Sequence, residues 1–459
     1  MSVPTSARLP LRTKLAFGSG DIGPAVATAI MSFFLLYFFT DVARLSPAVA
    51  GSILLVTKIW DAVNDPLIGL LSDRLRTRWG RRRPWLLFGA VPFGVAFFLL
   101  FQTPELGETA KVAYYLIVSL AMDTAFTMVN VPYTALTPEL SRDYDERTSL
   151  NAYRFAFSIT SGLIAAVLHP ILVSTIAAST DVRTGYAVAA LIWAVVCALP
   201  FFIAFAGTRE QHTPEEEAPM PFWSGLRYVF ANRAFRYVAG IYLLSWLVVQ
   251  TVSTLIVYYM TYWMRRPEAI SLVLLAVQGS ALIWLFVWSA ISRRLGKKGV
   301  YLVGTTTWVA VSLALFVVQP DWSLGAVMAL AALAGVGVSV AYLVPWAMLP
   351  DVIELDELQT GRRREGAFYG FFVLLQKLGL AVGLFLVGQV LEWSGYMTPP
   401  PNAAAPIEQP ESALLAIRLM IGPIAALVLI AGMALVARFP ITRATHEQTL
   451  RALAQRQAL

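Results

Sequence analysis

The sequence predicts an all-α membrane protein of twelve transmembrane helices arranged as two six-helix halves. Three observations carry this. Of 459 residues, 58% are hydrophobic and only 14% are charged, where soluble domains carry about a quarter charged residues. Apolar runs of the roughly 20 residues needed to cross a bilayer as helix recur along the whole chain. The longest polar interruption falls near the middle and leaves six such runs on either side.

In chain order the apolar runs fall at 15–40, 48–72, 84–103, 110–138, 152–176, 184–206, 234–262, 270–291, 299–318, 323–349, 367–392 and 413–437. Each is bounded by turn residues or charges. Arg8, Arg12 and Lys14 lead into the first, which is too long for the apolar core of a secretory signal, so no cleaved leader is expected. The stretch from Gly207 to Arg236 holds Glu215, Glu216 and Glu217, then Pro219 and Pro221, Trp223 and Arg227. The expected organisation is a first bundle over 1–207, a cytoplasmic linker over 208–236, a second bundle over 237–438 and a cytoplasmic tail over 439–459.

The formal charge is +7, yet the basic residues gather on no single amphipathic face and point to no nucleic acid. They sit in short tracts between apolar runs. With both termini on one side, 27 of the 35 Lys and Arg residues fall on that side, counting Arg154 at the cytoplasmic start of the fifth run. Six fall opposite (Arg44, Lys111, Arg183, Arg265, Arg266 and Arg418), and Lys58 and Lys377 lie inside spans. Basic residues mark cytoplasmic loops, so both termini are expected in the cytoplasm and the chain in the inner membrane. Cys197, the single cysteine, lies in an apolar run, and His169, His212 and His446 fit no zinc spacing. No nucleophile–base pair, metal cluster or phosphate loop is visible, which argues against an enzyme and against a cofactor.

A weak internal repeat supports the two halves. The second run leaves through Gly69 to Arg74 into a basic loop with Arg81, Arg82 and Arg83, and the eighth leaves through Ser292 to Lys298. Two six-span halves related in this way describe the major facilitator architecture, in which substrate binds near the midplane where the repeats meet. Gly69 and Asp73, four apart, resemble that superfamily's motif between spans 2 and 3, and make Asp73 and Arg74 candidate gate residues.

Ionisable residues inside a span are costly and functional by default. Here they are Asp21, Lys58, Asp61, Asp65, Asp123, Arg154 and Lys377. Thr57, Asp61 and Asp65 recur every four residues, with Asn64 beside them, so helical spacing puts two carboxylates, an amide and a hydroxyl on one stripe. Such an oxygen-rich row suits a hard monovalent cation, or a proton shared between neighbouring acids. The competing reading is a structural ion pair between Lys58 and Asp61. Asp123 and Thr127 are also four apart, ahead of Asn130 and Pro132; Asp123 fits either an ion site or a packing acid neutralised by Lys58. In the second half Lys377 has no acid within a turn, and Tyr342 and Trp346 present aromatic faces one turn apart before Asp351.

These blocks resemble the glycoside–pentoside–hexuronide:cation symporter family, of which melibiose permease is a member. The resemblance rests on Lys14 to Asp21, Trp60 to Pro66, Arg78-Trp-Gly80, Arg83-Pro-Trp85 and Asn130-Val-Pro-Tyr133. Asp145 up to Arg154, and Asp351 to Glu357 up to Lys377, extend it over nearly the whole chain. It implies that Asp61, Asn64, Asp65 and Thr127 form the cation site, with Asp123 close by. It implies that Arg154 and Lys377 lie around the substrate, with Asn130 and Tyr342 at positions of the family's sugar site. Asp21 and Trp346 are further substrate candidates, and Asp145, Asp351 and Glu357 are expected to join Asp73 and Arg74 in cytoplasmic gate pairs. The chain departs from melibiose permease at Ala25, Asn130, Thr134, Tyr342, Phe372 and Val373, where sugar ligands or polar neighbours are replaced, and at Asp123, where a glycine is usual.

The expected function is therefore Na+- or H+-coupled symport of a sugar or glycoside by alternating access. With Arg154 and Lys377 kept and an acid lost, an anionic sugar such as a uronide or sulfosugar fits the charge count. The alternative is symport of a lipid-like or other amphipathic substrate. Expected partners are the small-molecule substrate, the coupling cation and membrane lipid, with the chain acting as a monomer.

Overall fold

The structure, a computed structural model, describes residues 9–141, 143–210, 221–400 and 406–457. Residues 211–220, with the run Glu215 to Glu217 expected in the linker, lie outside the described residues. Among the described residues no strand forms; a single bridge between Thr77 and Gly80 closes a tight loop. The chain divides into two compact units, Met1–Glu217 with Thr398–Ala403, and Ala218–Met397 with Ala404–Leu459.

The first unit begins with α1 (Leu11–Ser19) and α2 (Ile22–Ile30), continued by π-helical turns at Met31–Leu35 and Phe38–Val42. It goes on through α3 (Pro47–Arg74), α4 (Arg83–Leu100), α5 (Glu108–Ala135), the short α6 (Thr137–Leu140), α7 (Tyr144–Ala177) and α8 (Val182–Gly207). The second comprises α9 (Phe222–Ala231), α10 (Arg233–Tyr258), α11 (Ile270–Val317), α12 (Leu324–Thr360), α13 (Glu365–Trp393), α14 (Glu411–Leu419), α15 (Ala425–Ala437) and α16 (Arg443–Gln457).

Nine helices among the described residues are long and apolar enough to cross a bilayer. One of them, over 267–317, makes two crossings, because Gly296 takes φ +68 and turns the chain inside α11. Two further crossings escape that criterion. α3 has 28 residues but carries Lys58, Asp61, Asp65 and Asp73. The first crossing is assembled from α1, α2 and the π-helical turns. The result is the twelve-span fold.

Local chemistry sets the helix starts. Ser46 caps α3 by accepting from the Val49 N–H at 3.4 Å, with Pro47 following it. Asp143 caps α7 through Glu146 N at 2.9 Å, Asp181 caps α8 through Arg183 N at 2.8 Å, and Asn232 caps α10 through Phe235 N at 3.1 Å. Each satisfies an N–H that the first helical turn leaves orphaned. α12 ends at Gly361, whose φ of +71 is the left-handed conformation that glycine tolerates at no steric cost.

Side-chain placement is that of helices in lipid. On α4, Phe88, Val91, Val95 and Leu99 form an exposed row, and on α8 so do Val188, Leu191, Val195 and Leu199. α3 buries Thr57, Asp61 and Asn64 while exposing Val56, Ile59, Val63, Leu67 and Leu70. A soluble helix does the reverse.

In the first unit α3 packs on α5, α4 lies between α5 and α8, and α2 packs on α7 and α8. Its core is aromatic: Phe38 contacts Phe101, Tyr115 and Tyr186 with ring centroids 5.0, 6.3 and 5.1 Å away. In the second unit α10 packs on α12, α13 and α15, α11 packs on α12, and α16 lies against α12. Phe235, Tyr242, Trp288, Tyr301, Phe368 and Phe372 fill the centre of that core.

Candidate functional site

The α3–α5 contact gathers the residues selected by spacing. Thr127 on α5 donates its hydroxyl to Asp65 Oδ1 at 3.0 Å and lies 3.5 Å from Asp61 Oδ1. One hydroxyl thus spans both carboxylates, which come from successive turns of α3. Asn64 is 3% exposed and its Nδ2 makes no hydrogen bond among the described residues. Thr57 is buried in the same row, its hydroxyl donating to Ile53 O at 2.8 Å. Trp60 fastens the two helices by donating from Nε1 to Thr124 Oγ1 at 2.9 Å.

Lys58 enters the same cluster. Its Nζ is 2.9 Å from Asp123 Oδ1 and 3.6 Å from Asp61 Oδ2. Both pairings weighed from the sequence are therefore present together: the lysine is shared between Asp61 and Asp123. Three carboxyl groups, one ammonium, one hydroxyl and one amide make a compact centre in which acids outnumber bases.

Asp21 sits at the break between α1 and α2, and Arg154 of α7 lies 3.6 Å from it, from Nε to Oδ2. Tyr133 donates to Phe17 O at 2.6 Å and passes so close to Gly20 that an added Cβ would lie 2.5 Å from its ring. Asn130 is half-buried on α5.

In the second unit Tyr342 lies beside Trp246, ring centroids 5.5 Å apart, and Trp346 beside Tyr369 at 6.1 Å. Trp346 Nε1 donates to Tyr242 Oη at 3.0 Å, and Tyr242 donates to Gln376 Oε1 at 2.8 Å. The Tyr242 ring stacks on Phe372 at 3.8 Å. Lys377 follows Gln376 and is half-buried. Tyr242 and Gln376 were not singled out from sequence. Nothing local distinguishes one tyrosine among 17.

Near the helix ends the expected ion pairs form with some substitutions. Asp73 accepts from Arg82 NH2 at 2.7 Å, whereas Arg74 is exposed at the end of α3. Arg81 and Arg82 also converge on Glu139 Oε1, at 2.9 and 2.5 Å. Burial pushes the Glu139 carboxyl above its ordinary range, and Arg82 and then Arg81 draw it back. Asp145 is exposed, while its neighbour Glu146 is buried and pairs with Lys14 at 3.0 Å. Asp351 binds Lys297 Nζ at 2.6 Å, and Glu357 binds Arg363 at 3.0 Å. His446 of α16 reaches Glu354 at 2.7 Å and Asp351 at 3.4 Å. Their ligand atoms lie within 4.8 Å of one another, a grouping that spacing along the chain conceals; Lys297 already supplies a cation to Asp351 there. Glu139, Glu146 and Glu210, which accepts from the Arg81 N–H at 2.8 Å, escaped sequence reading because their partners lie far off in the chain. An acid just past a span end, facing the arginine-rich loop, was the available signal.

The MFS/sugar transport protein family matches this chain over residues 16–443. The chain belongs to the glycoside–pentoside–hexuronide:cation symporters of the major facilitator superfamily. This symporter is 40% identical to an uncharacterized symporter of Synechocystis over 98% of both chains. It is 30% identical to the putative glycoside/cation symporter YagG of Escherichia coli, over 98% of this chain and 96% of that one. A sodium-dependent lysophosphatidylcholine symporter of Gallus gallus is 28% identical over 97% and 89%. Among solved structures the nucleoside transporter NupG superposes with a TM-score of 0.65 at 13% identity, covering 95% of this chain and 100% of that one. At that identity the match speaks to fold alone, and it is the major facilitator fold. The symporter is a multi-pass membrane transporter.

Proposed function

We propose that the protein is a secondary transporter that couples entry of a sugar or glycoside to a monovalent cation, Na+ or H+, by alternating access. It sits in the inner membrane with both termini in the cytoplasm and works as a monomer without an organic cofactor. The observation that carries the reading is Thr127 bridging Asp65 at 3.0 Å and Asp61 at 3.5 Å beside buried Asn64. Oxygen ligands from four side chains, in a segment where unpaired charge is costly, have little use except to hold a cation or a proton. Occupancy of that site raises substrate affinity by linkage, so ion and substrate travel together. The name of the 30%-identical relative, a glycoside/cation symporter, supports the pairing.

For the substrate, Arg154 beside Asp21 and Lys377 beside Gln376 favour a sugar bearing an anionic group, such as a uronide or a sulfosugar. Charge-assisted hydrogen bonds to a carboxylate or sulfonate are stronger than neutral ones. A second reading is kept by one observation. Trp346, Tyr242 and Gln376 spend their hydrogen bonds on one another, so this stretch offers ring faces rather than sugar ligands. That suits an amphipathic substrate, as in the lysophosphatidylcholine symporter relative.

The deciding experiment is uptake into right-side-out vesicles. Asp65→Cys is expected to express normally and to lose cation-driven accumulation. Normal uphill transport by that variant removes the ion-site assignment. Thermal-shift screening of neutral glycosides, uronides, sulfosugars and lysolipids, with and without NaCl, separates the substrate classes. Equal shifts from neutral and acidic sugars count against the anionic reading.

A further inference from the structure

We propose that Lys58 is a tethered competitor of the coupling ion and that Asp123 is its seat. In the empty site the ammonium is shared between Asp123 and Asp61; when the coupling cation arrives, it withdraws wholly onto Asp123. This rests on Asp61 and Asp65 being the ion carboxylates, and it changes the part given to Asp123, from ligand of the ion to positioning residue for the lysine.

The geometry supplies the reasons. Lys58 stands one turn before Asp61 on α3, and Asp123 faces both from α5. The ammonium is already nearer Asp123, at 2.9 Å, than Asp61, at 3.6 Å. The side chains of Asp123 and Asp61 are 2% and 5% exposed, so charges here are poorly screened and unit charges a few ångströms apart interact strongly. A cation held by Asp61 and Asp65 cannot share Asp61 with an ammonium without repulsion, and a buried lysine cannot leave one acid unless another receives it. Asp123 receives it. The flexible four-carbon stem of lysine allows the short shift with its helix in place.

Two consequences follow. Lys58 and Asp123 together add no net charge, so Asp61 and Asp65 keep the charge they would have without them, while the pair weakens or strengthens ion binding according to where the ammonium rests. The same ammonium partly neutralises Asp61 when no ion is bound. That lowers the cost of the empty return step which a symport cycle requires, and which bare carboxylates would oppose.

The test titrates purified full-length protein. NaCl is varied at constant ionic strength with choline chloride, and pH is varied separately, to find which ion stabilises the wild type in thermal unfolding. The midpoint for that ion is then compared among variants. Asp123→Asn leaves Lys58 to the ion carboxylates Asp61 and Asp65, and is expected to weaken ion binding about tenfold, within the usual range of site coupling. Lys58→Met is expected to tighten it. The double variant Lys58→Met/Asp123→Asn is expected to return to within about threefold of wild type, the non-additivity expected of residues in one network. An unchanged midpoint in Asp123→Asn, or a double variant as weak as Asp123→Asn, overturns the proposal. Should Asp123→Asn fail to fold, Lys58→Met decides alone: a weaker or unchanged midpoint overturns it. Asp65→Cys runs alongside. If it responds to the ion like wild type, the underlying ion site is wrong. If its response is lost while Lys58 and Asp123 prove indifferent, only the present inference falls.

Discussion

Thr127 is the residue on which the proposed ion site turns, because its single hydroxyl reaches both carboxylates from the neighbouring helix. Thr127→Ala is expected to weaken cation activation of transport several-fold, and to cost about 2 kcal/mol of stability because Asp65 loses a hydrogen bond to a charged group. Thr127→Ser should restore most of the affinity by returning the oxygen. Equal cation dependence in Ala, Ser and wild-type proteins would place the ion elsewhere. The site was legible to this degree because helical period alone aligns Thr57, Asp61 and Asp65, and membrane cost singles out their charges. The sharing of Lys58 was not legible in the same way. Sequence offered Asp61 and Asp123 as partners, and only the packing of α3 on α5 brings Asp123 to the ammonium that Asp61 already reaches from one turn along α3. Glu139 and Glu146 illustrate the same limit, since each owes its partner to a contact between distant segments.

At the scale of elements, the loop between α3 and α4 shows how backbone geometry supports a charged cluster. Glu210, just beyond α8, accepts from the backbone N–H groups of Arg81, Arg82 and Arg83 at 2.8, 2.9 and 2.9 Å. A carboxylate at a helix N-terminus both satisfies orphan donors and complements the dipole. Gly80 makes room for it, with φ +105 and a would-be Cβ only 2.3 Å from the Glu210 carboxyl carbon. Gly80→Ala should therefore cost about 2 kcal/mol from the backbone conformation alone, and more from the displaced carboxylate. Gly107, where an added Cβ meets nothing within 4 Å, is the control. Thermal unfolding should separate Gly80→Ala from Gly107→Ala by several degrees; equal midpoints would refute the close approach. α16 gives a second case. His446 holds it to Glu354 of α12 at 2.7 Å, and His446→Ala should make the tail more susceptible to limited proteolysis without altering the transmembrane helices. The spans themselves were foreseen to within a few residues, apart from α12, which runs on to Thr360, and α7, which begins at Tyr144. Both extensions are polar helix, which hydropathy does not register.

At the scale of the whole molecule, the two halves repeat one detail closely. In the first, Ala43 N and Leu45 N donate to Phe38 O and Phe39 O; in the second, Met264 N and Arg266 N donate to Tyr259 O and Met260 O. Arg44 and Arg265, at matching places in these turns, are the non-glycine residues with positive φ among the described residues. Carried back along each helix at the same offset, Asp21 corresponds to Tyr242 and Ala25 to Trp246. The repeat thus points to the two aromatic residues of the second half that no local motif marked. Six spans in each half also return the chain to the side from which that half began. Combined with the 27 to 6 division of basic residues, this predicts that alkaline phosphatase fused after Gly107 or Asp321 is active outside the membrane. A fluorescent-protein fusion after Gln457 should be bright, as it folds only in the cytoplasm. An active phosphatase at Gln457 with a silent one at Asp321 would invert the molecule. Lysine substitutions placed in the loop around Asp321 should then reduce insertion rather than reverse it, since one added cluster opposes a charge imbalance spread over every cytoplasmic loop.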